Sequence, residues 1–137
     1  MKFVENNTIE YSQLMNLYKS VAWTGYTDFP NKMQTMLTKS LWWCACWDGE
    51  TLIGLIRVVG DGVSIVYVQD ILVDPRYQRL GIGGKLMDKM MATFTAVRQI
   101  VLITDNKEET RRFYESVGMR SLEKTHGCGY IRYNFEC

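Results

Sequence analysis

Apolar residues recur along this chain with two different periods, and they divide it into helices and strands. A short strand at residues 3–5 comes first. Two stretches of helical spacing follow, one opening at Thr8 and one at Pro30, a residue that suits a first helical turn. The apolar positions of these two helices are Tyr11, Leu14, Met15, Leu17, Tyr18 and Val21, then Met33, Met36, Leu37 and Leu41. Between them, residues 23–29 are predicted to form an aromatic-rich loop.

Three consecutive antiparallel strands are predicted next. Strand-type runs at residues 41–47 and 51–59 flank the dipeptide Asp48-Gly49, which is typical of a hairpin turn. The third run, residues 64–73, is mostly apolar on both alternating faces and therefore suits a strand that is buried on both sides. The helix that follows it has apolar residues at helical spacing, namely Ile82, Leu86, Met90, Phe94 and Val97.

The last third of the chain is predicted to complete a mixed sheet. Residues 100–103 are predicted to form a compact buried strand, which connects to the strand at 64–73 as a parallel crossover. Asp105 and Glu108 have the spacing of a capping box, which predicts a helix from 109 to 117 that stops at Gly118. Two final strands are predicted at 119–124 and 130–135. The fold class is therefore α/β (α+β), a single domain over 1–137 with six to seven strands and about four helices.

Composition and charge exclude several classes of partner. The 137 residues carry a formal net charge of +1, so no broad field for nucleic acid or an anionic membrane is expected. No segment is long and apolar enough to span a membrane, and residues 1–7 lack the apolar region of a signal peptide. A cytoplasmic location is therefore expected. The cysteines lack zinc-site spacing and are expected to be buried free thiols, and the only histidine, His126, lies in a predicted turn, which excludes a His-based metal cluster.

Glycines are concentrated where the strand at 64–73 gives way to a helix. Gly81, Gly83 and Gly84 let the backbone approach a ligand, and the first N–H groups of the helix lie at the positive end of its dipole. This is an anion site of the kind that phosphate occupies. The spacing is not that of a P-loop, and Leu86 stands where a Rossmann fingerprint needs its third Gly or Ala, so a nucleotide-binding module is excluded. The nearby basic residues either help to hold a polyphosphate or form a solvated face; they are Arg76, Arg79, Lys85 and Lys89.

Two motifs resemble those of one family. Gln78-Arg79-Leu80-Gly81-Ile82-Gly83, placed after Ile71-Leu72-Val73-Asp74-Pro75, resembles the acetyl-coenzyme A loop of the GNAT superfamily of N-acetyltransferases. The stretch Phe113-Tyr114-Glu115-Ser116-Val117-Gly118-Met119 is similar to the Phe-Tyr-x-x-x-Gly-Phe stretch of that family. The resemblance covers nearly the whole chain. It implies acetyl-CoA as cosubstrate, no metal, and a general layout similar to bacterial relatives of aralkylamine acetyltransferases.

The resemblance also implies where the coenzyme lies. In such enzymes the two adjacent parallel strands splay apart, here near Val73 and Thr104, and the pantetheine arm lies in the gap. The backbone groups of Ile71, Leu72 and Val73 would pair with it as a missing strand would. The amides from Gln78 to Gly84 would bind the pyrophosphate. Asn106 is close to the family's coenzyme-contacting asparagine, although counting back from Tyr114 gives Lys107, and a plain capping role stays open. The implied coenzyme-binding residues are Ile71, Leu72, Val73, Gln78, Arg79, Leu80, Gly81, Ile82, Gly83, Gly84, Lys85, Asn106 and Tyr114.

For the chemistry, the resemblance implies that Tyr114 protonates the departing thiolate; packing at a helix edge is the alternative. The positions where relatives place a Glu or His base are Tyr67 and Gln69, and neither is a good base at neutral pH. Period-two alternation predicts that Tyr67, Gln69, Ile71 and Val73 share one face. Asp70 would then point to the opposite face, in a structural hydrogen-bonding role. Water held by Gln69 and Tyr67 is therefore expected to take the amine proton.

The function predicted from these residues and the resemblance is acetyl transfer to a small primary amine by direct attack on the thioester. The aromatic segment 23–29 hints at an apolar or aromatic amine. Acetylation of protein lysines or N-termini, and a non-catalytic coenzyme A sensor, stay open as alternatives. The expected partner is a small-molecule amine, without nucleic acid or membrane, and a homodimer is left open.

Overall fold

The computed structural model describes residues 1–135, in two compact units that divide between Ile103 and Thr104. The elements of the first unit are β1 (Lys2–Glu5), α1 (Tyr11–Ser20), α2 (Thr24–Thr27), α3 (Pro30–Thr38), β2 (Trp42–Asp48), β3 (Thr51–Gly60), β4 (Ile65–Val73), a 3-10 turn (Pro75–Tyr77), α4 (Ile82–Thr93) and β5 (Gln99–Val101). Those of the second unit are α5 (Glu108–Ser116) and a 3-10 turn (Leu122–Thr125). The single domain over 1–137 stays a prediction.

One mixed sheet runs in the order β1-β2-β3-β4-β5. The first four strands pair antiparallel with their neighbours, and β4 pairs parallel with β5. The predicted hairpin is confirmed, with Asp48 opposite Thr51 and a two-residue turn whose Gly49 has φ +59°. The mixed α/β fold class and the parallel crossover through α4 are thereby confirmed.

Helices cover both faces of the sheet. The first three helices pack on one face, where their apolar residues share a core with Ala45, Leu55 and Leu72. Helix α4 packs on the other face and buries Ile82, Leu86, Met87 and Met90. A Cβ atom added to Gly54 of β3 would lie 3.2 Å from Ile82 Cγ2, so the missing side chain lets the start of α4 approach the sheet closely.

The predicted count of six to seven strands is wrong for the described residues, which form five. Between 121 and 127 the backbone bonds to itself locally: Lys124 N–H donates to Ser121 O, and His126 is left-handed with φ +63°. These local bonds use the N–H and C=O groups that a strand ladder would need. Residues 130–135 were predicted as the last strand, and no ladder pairs them within residues 1–135.

Several predicted boundaries shift. Helix α1 begins at Tyr11 instead of Thr8, and α3 ends before Leu41. Helix α2 lies in the segment predicted as a loop, so the described chain has five α-helices instead of about four. Helix α4 ends at Thr93, which leaves Phe94 and Val97 beyond it. Strand β5 ends at Val101, and Ile103, predicted to be buried, is 57% exposed.

The start of α5 differs from the predicted capping box. Its N-cap is Lys107, which makes no side-chain cap, because the helix begins at Glu108. Asp105 instead accepts a hydrogen bond from the Lys107 N–H at 3.1 Å and bonds the side chain of Thr110, and these bonds lower its pKa. The predicted stop is confirmed, since Gly118 has φ +92° and donates to Glu115 O while Met119 donates to Tyr114 O.

The cysteine prediction is confirmed in part. Cys44 and Cys46 are buried free thiols, whereas Cys128 is free but exposed, since it lies in the second unit beyond the 3-10 turn. Cys137 lies outside the described residues. Within residues 1–135, no helix is long and apolar enough to cross a membrane.

Candidate active site

The predicted glycine loop begins with a turn that Asp74 organises. The Asp74 N–H donates to Ile53 O at 2.8 Å, which ends β4 beside β3. Its buried carboxylate accepts from the Arg76 N–H at 2.9 Å and from the Arg76 guanidinium at 2.8 Å. The hydrogen bonds from Arg76 lower the pKa of Asp74. Arg79 and Gly81 then take left-handed conformations, φ +67° and +78°, which aim the chain into α4.

The start of α4 presents backbone donors to open space. Among residues 1–135, no group accepts a hydrogen bond from the N–H of Gly81, Ile82, Gly83 or Gly84, and the Lys85 N–H is the first to bond back, to Gly81 O at 3.1 Å. A Cβ atom added at Gly81 or Gly84 would meet nothing within 4 Å. Four unpaired donors at the positive end of a helix dipole form a site for an anion.

The basic residues near this loop do not act as one patch. Arg76 is bound to Asp74, and the Lys89 ammonium lies 5.4 Å from the centroid of the Phe3 ring. Arg79 and Lys85 have exposed side chains. Two of the four residues therefore have local partners, and two extend into solvent beside the free amides.

Strand β4 has an unpaired edge next to this loop. Strand β5 pairs only with Ile65, Val66 and Tyr67, while β3 pairs with β4 as far as Val73. From Val68 onward, the β5 side of β4 has no strand partner within the described part of the chain. The backbone of Ile71 to Val73, predicted to pair with pantetheine, lies on this open edge.

A β-bulge in β4 overturns the predicted sharing of faces. Arg57 pairs with Asp70, and the next residue of β3, Val58, pairs with Val68, so Gln69 is an extra residue. Paired residues point to the same side of a sheet. Tyr67 and Asp70 therefore share the face of Leu72, against the first three helices, while Ile71 and Val73 take the other face. Alternation fails because the extra residue shifts the period by one.

Asp70 is the centre of a buried hydrogen-bond network and is 3% exposed. Its carboxylate accepts from Tyr18 Oη at 2.8 Å, Tyr26 Oη at 2.6 Å and Arg57 Nε at 2.8 Å. Burial would lower the pKa of Arg57, but the adjacent Asp70 more than offsets it and the pKa is raised. Burial, together with Asp70, raises the pKa of Tyr26 to about 12. The predicted hydrogen-bonding role of Asp70 is confirmed, but Asp70 shares the face of Tyr67 instead of lying opposite to it.

The two residues predicted to handle the amine proton lie on either side of this bulge. Gln69 is exposed, and its Nε2 donates to Tyr26 Oη at 3.2 Å. Tyr67 is half-buried and is the last residue of the β4–β5 ladder. Sequence reasoning marked segment 23–29 only as an aromatic loop and missed the link from Tyr26 to Gln69. No local signal in the sequence reports it, because the partners come from α2, β3 and β4.

The second unit carries the remaining predicted residues. Tyr114 is half-buried in α5, packs edge-on against Phe113 at 5.0 Å, and makes a side-chain hydrogen bond with Thr104. Burial raises the pKa of Tyr114, so its phenol stays protonated at neutral pH. Asn106 Oδ1 accepts from Arg111 Nε at 3.1 Å, and Lys107 occupies the N-cap position without a side-chain capping bond. The coenzyme contact of Asn106 stays a prediction.

A cleft of about 540 Å³ lies elsewhere in the first unit. Its walls come from α1, the start of β3 and the turn after β4. The residues that line it are Gln13, Asn16, Leu17, Ser20, Thr51, Leu52, Asp74, Pro75 and Arg76. This cleft therefore contains neither the glycines of the loop nor Tyr67 and Gln69.

The chain matches known proteins along most of its length. A model of the Acetyltransferase (GNAT) family matches residues 9–119. An uncharacterized N-acetyltransferase, ycf52-like, from Prochlorococcus marinus is 26% identical over 134 residues, which cover 93% of this chain and 72% of that protein.

Solved structures have the same fold. A GNAT-family acetyltransferase from Streptococcus pneumoniae TIGR4 superposes with a TM-score of 0.85 and 34% identity, covering 98% of each chain. The acetyltransferase AAC(6')-Iy, solved with a bisubstrate analog of CoA and acetylneamine, superposes with a TM-score of 0.72 at 15% identity, covering 99% of this chain and 98% of that one, which shows a common fold. The chain therefore belongs to the acetyltransferase (GNAT) family, and it is an N-acetyltransferase.

Proposed function

We propose that this protein transfers the acetyl group of acetyl-CoA to the primary amine of a small molecule, by direct attack of the amine on the thioester. The observation that carries the proposal is the end of β4. There an unpaired strand edge runs directly into four unpaired helix N–H groups. Pantetheine needs backbone partners and pyrophosphate needs an anion site, and one stretch of chain offers both in the right order.

The coenzyme is assigned to this stretch residue by residue. The unpaired amides from Gly81 to Gly84 hold the pyrophosphate, and the open space beside Gly81 and Gly84 admits it. The Gln78 N–H, predicted to join them, instead donates to Pro75 O at 3.4 Å. Arg79 and Lys85 add positive charge at the rim. The backbone of Ile71, Leu72 and Val73 pairs with the pantetheine arm along the edge that β5 leaves open.

The chemical step then needs little from the protein beyond orientation and charge. The amine nitrogen attacks the carbonyl carbon, and a backbone N–H near Leu72 or Val73 stabilises the oxyanion. The carbon–sulfur bond breaks, Tyr114 gives its proton to the thiolate, and the amine proton leaves through water beside Gln69 and Tyr67. No acyl-enzyme is required, and burial raises the pKa of Cys44 to about 11, which keeps this thiol protonated.

A small-molecule acceptor is supported by two observations. AAC(6')-Iy, which shares the fold, was solved with an analog built on acetylneamine. In this chain, the ring centroids of Trp23 and Tyr26 lie 6.2 Å apart, and the Tyr26 hydroxyl accepts a hydrogen bond from the Gln69 amide at the bulge. An aromatic wall beside the acceptor position suits a compact amine with an apolar body.

The test is a panel of acceptors with acetyl-CoA, followed by the release of free thiol. The panel contains 2-phenylethylamine, spermidine, neamine and a lysine-containing peptide. We expect amine-dependent thiol release with a small amine and none with Gly83→Asp, the variant that blocks the coenzyme site. Tight coenzyme A binding without turnover of any acceptor would identify a sensor, and turnover of the peptide alone would identify a protein acetyltransferase.

A further inference from the structure

We propose that Tyr26 is a positioning residue for the acceptor amine: held by the buried Asp70–Arg57 pair, it fixes the Gln69 amide so that Oε1 accepts a hydrogen bond from the amine. The inference rests on the proposed function, because it places the acceptor at the bulge. Tyr26, Asp70 and Arg57 would then hold Gln69 in place without contacting the substrate themselves.

The direction of each hydrogen bond follows from the inner end of the network. Asp70 and Arg57 form an ion pair whose side chains are 2% and 7% exposed, so the carboxylate acts only as an acceptor. Tyr26 has one hydroxyl proton and donates it to Asp70 Oδ1 at 2.6 Å. The high pKa of Tyr26, about 12, keeps that proton in place at neutral pH.

Tyr26 Oη can then only accept from its other neighbours. Arg57 donates to it at 3.3 Å, and Gln69 Nε2 donates to it at 3.2 Å. A carboxamide has donors at one end and an acceptor at the other. Turning the Gln69 amide over would place Oε1 against an oxygen with no proton to offer, so the network selects one orientation.

The selected orientation leaves Oε1 available at the bulge. Gln69 is exposed, and within residues 1–135 no group donates a hydrogen bond to its Oε1. A neutral amine that donates one N–H to this oxygen keeps its lone pair for attack on the carbonyl carbon. An acceptor oxygen at this point therefore favours a primary amine, which has a second N–H left for water, over an acceptor that lacks an N–H.

Tyr18 provides a matched control within the same network. Its hydroxyl also donates to Asp70, to Oδ2 at 2.8 Å, and it is more deeply buried than Tyr26. No hydrogen bond joins it to Gln69, whose amide donates to Tyr26. Tyr18→Phe and Tyr26→Phe thus remove equivalent hydroxyl groups, and only the second removes the partner of the Gln69 amide.

The kinetic experiment measures kcat/KM for the best amine of the panel with Tyr26→Phe, Gln69→Ala, the double variant and Tyr18→Phe. We expect Tyr26→Phe to lower kcat/KM for the amine about tenfold, the effect of one oriented hydrogen bond, with KM for acetyl-CoA unchanged. In the Gln69→Ala background the same substitution should have no further effect. Tyr18→Phe should lower Tm and leave kcat/KM for the amine within about twofold. Equal losses from Tyr26→Phe with and without Gln69 would overturn the proposal.

A second measurement needs no turnover, so it separates this inference from the proposed function. The side-chain NH2 signals of Gln69 in a ¹⁵N–¹H spectrum are assigned by their loss in Gln69→Ala. We expect Tyr26→Phe to shift these signals toward those of a solvent-exposed amide and Tyr18→Phe to leave them in place. Unchanged Gln69 signals in a folded Tyr26→Phe variant would show that the hydroxyl does not hold the amide. If no amine is acetylated, the proposed function fails and the role of Tyr26 toward an amine fails with it, while the amide signals still show whether the Tyr26 hydroxyl holds Gln69.

Discussion

Strand β4 carries two candidate binding regions within a few residues of each other, and they are built in opposite ways. The glycine loop at its end offers backbone N–H groups to open space, which the lack of side chains at Gly81 and Gly84 leaves unfilled. The position of Gln69 at the bulge depends on side chains from α2, β3 and β4 that meet at the buried Asp70. The first region belongs to one continuous stretch of chain, whereas the second exists only when three elements are packed.

This difference determines how each region should respond to mutation. A backbone site is lost when a side chain or a charge fills its space, and it tolerates changes elsewhere. A side-chain network loses orientation step by step as its members are removed, and its members are not additive. The predictions below test this contrast, beginning with the largest effect.

The largest effect is expected from Gly83→Asp. A carboxylate at the start of α4 repels a pyrophosphate and occupies its space, so coenzyme A binding should fall below detection in calorimetry. Circular dichroism should show a folded protein. Gly83→Ala, which adds a methyl group without charge, is the control and should retain measurable binding. Unchanged affinity in folded Gly83→Asp would remove the coenzyme from this loop.

Tyr114→Phe should lower kcat by roughly 10²-fold, the lower end for a lost proton donor, with coenzyme A affinity nearly unchanged. The exposed Tyr130, 92% accessible in the same unit, provides the matched control, and Tyr130→Phe should retain full activity. A full-rate Tyr114→Phe enzyme, with chemistry shown to limit the rate, would assign this tyrosine to packing.

Gln69→Ala should lower kcat/KM for the amine about tenfold without changing the shape of its pH profile. The reason is that Gln69 does not ionise, and the Tyr26 phenol, with its pKa raised to about 12, stays protonated. For a lysine-like alkylamine, kcat/KM should rise with pH toward the amine's own pKa of about 10, because only the neutral amine attacks. A wild-type limb at pH 6 to 7 that follows an enzyme group would reveal a base.

The smallest effect is expected from Gly54→Ala. Gly54 lies in β3, where its missing side chain lets the start of α4 approach the sheet. The added methyl group would contact Ile82 Cγ2 at 3.2 Å, so α4 must shift slightly away from β3. We expect coenzyme A affinity to fall a few-fold and unfolding free energy by about 1 kcal/mol. Gly129→Ala, where the added Cβ would lie 4.0 Å from its nearest neighbour, Leu122 Cδ2, controls for an added methyl group at a position with no assigned role. Unchanged affinity in Gly54→Ala would show that the loop position does not depend on this contact.

The sequence alone determined the elements whose signals are local. The hairpin at Asp48-Gly49, the glycine loop, the start of α3 at Pro30 and the Gly118 stop were all predicted, because turn chemistry and helix ends depend on neighbouring residues. The family, the fold class and the N-acetyltransferase activity also follow from motifs of this kind.

Tertiary structure decided what depends on residues distant in sequence. The bulge at Gln69 arises from the register between β3 and β4, and it moves Asp70 onto the face of Tyr67, contrary to simple alternation. The ion pair of Asp70 with Arg57 and the bond from Gln69 to Tyr26 span 13 and 43 residues along the chain. Such contacts form because burial leaves each polar group only the partners that packing brings near, and no local pattern records that choice.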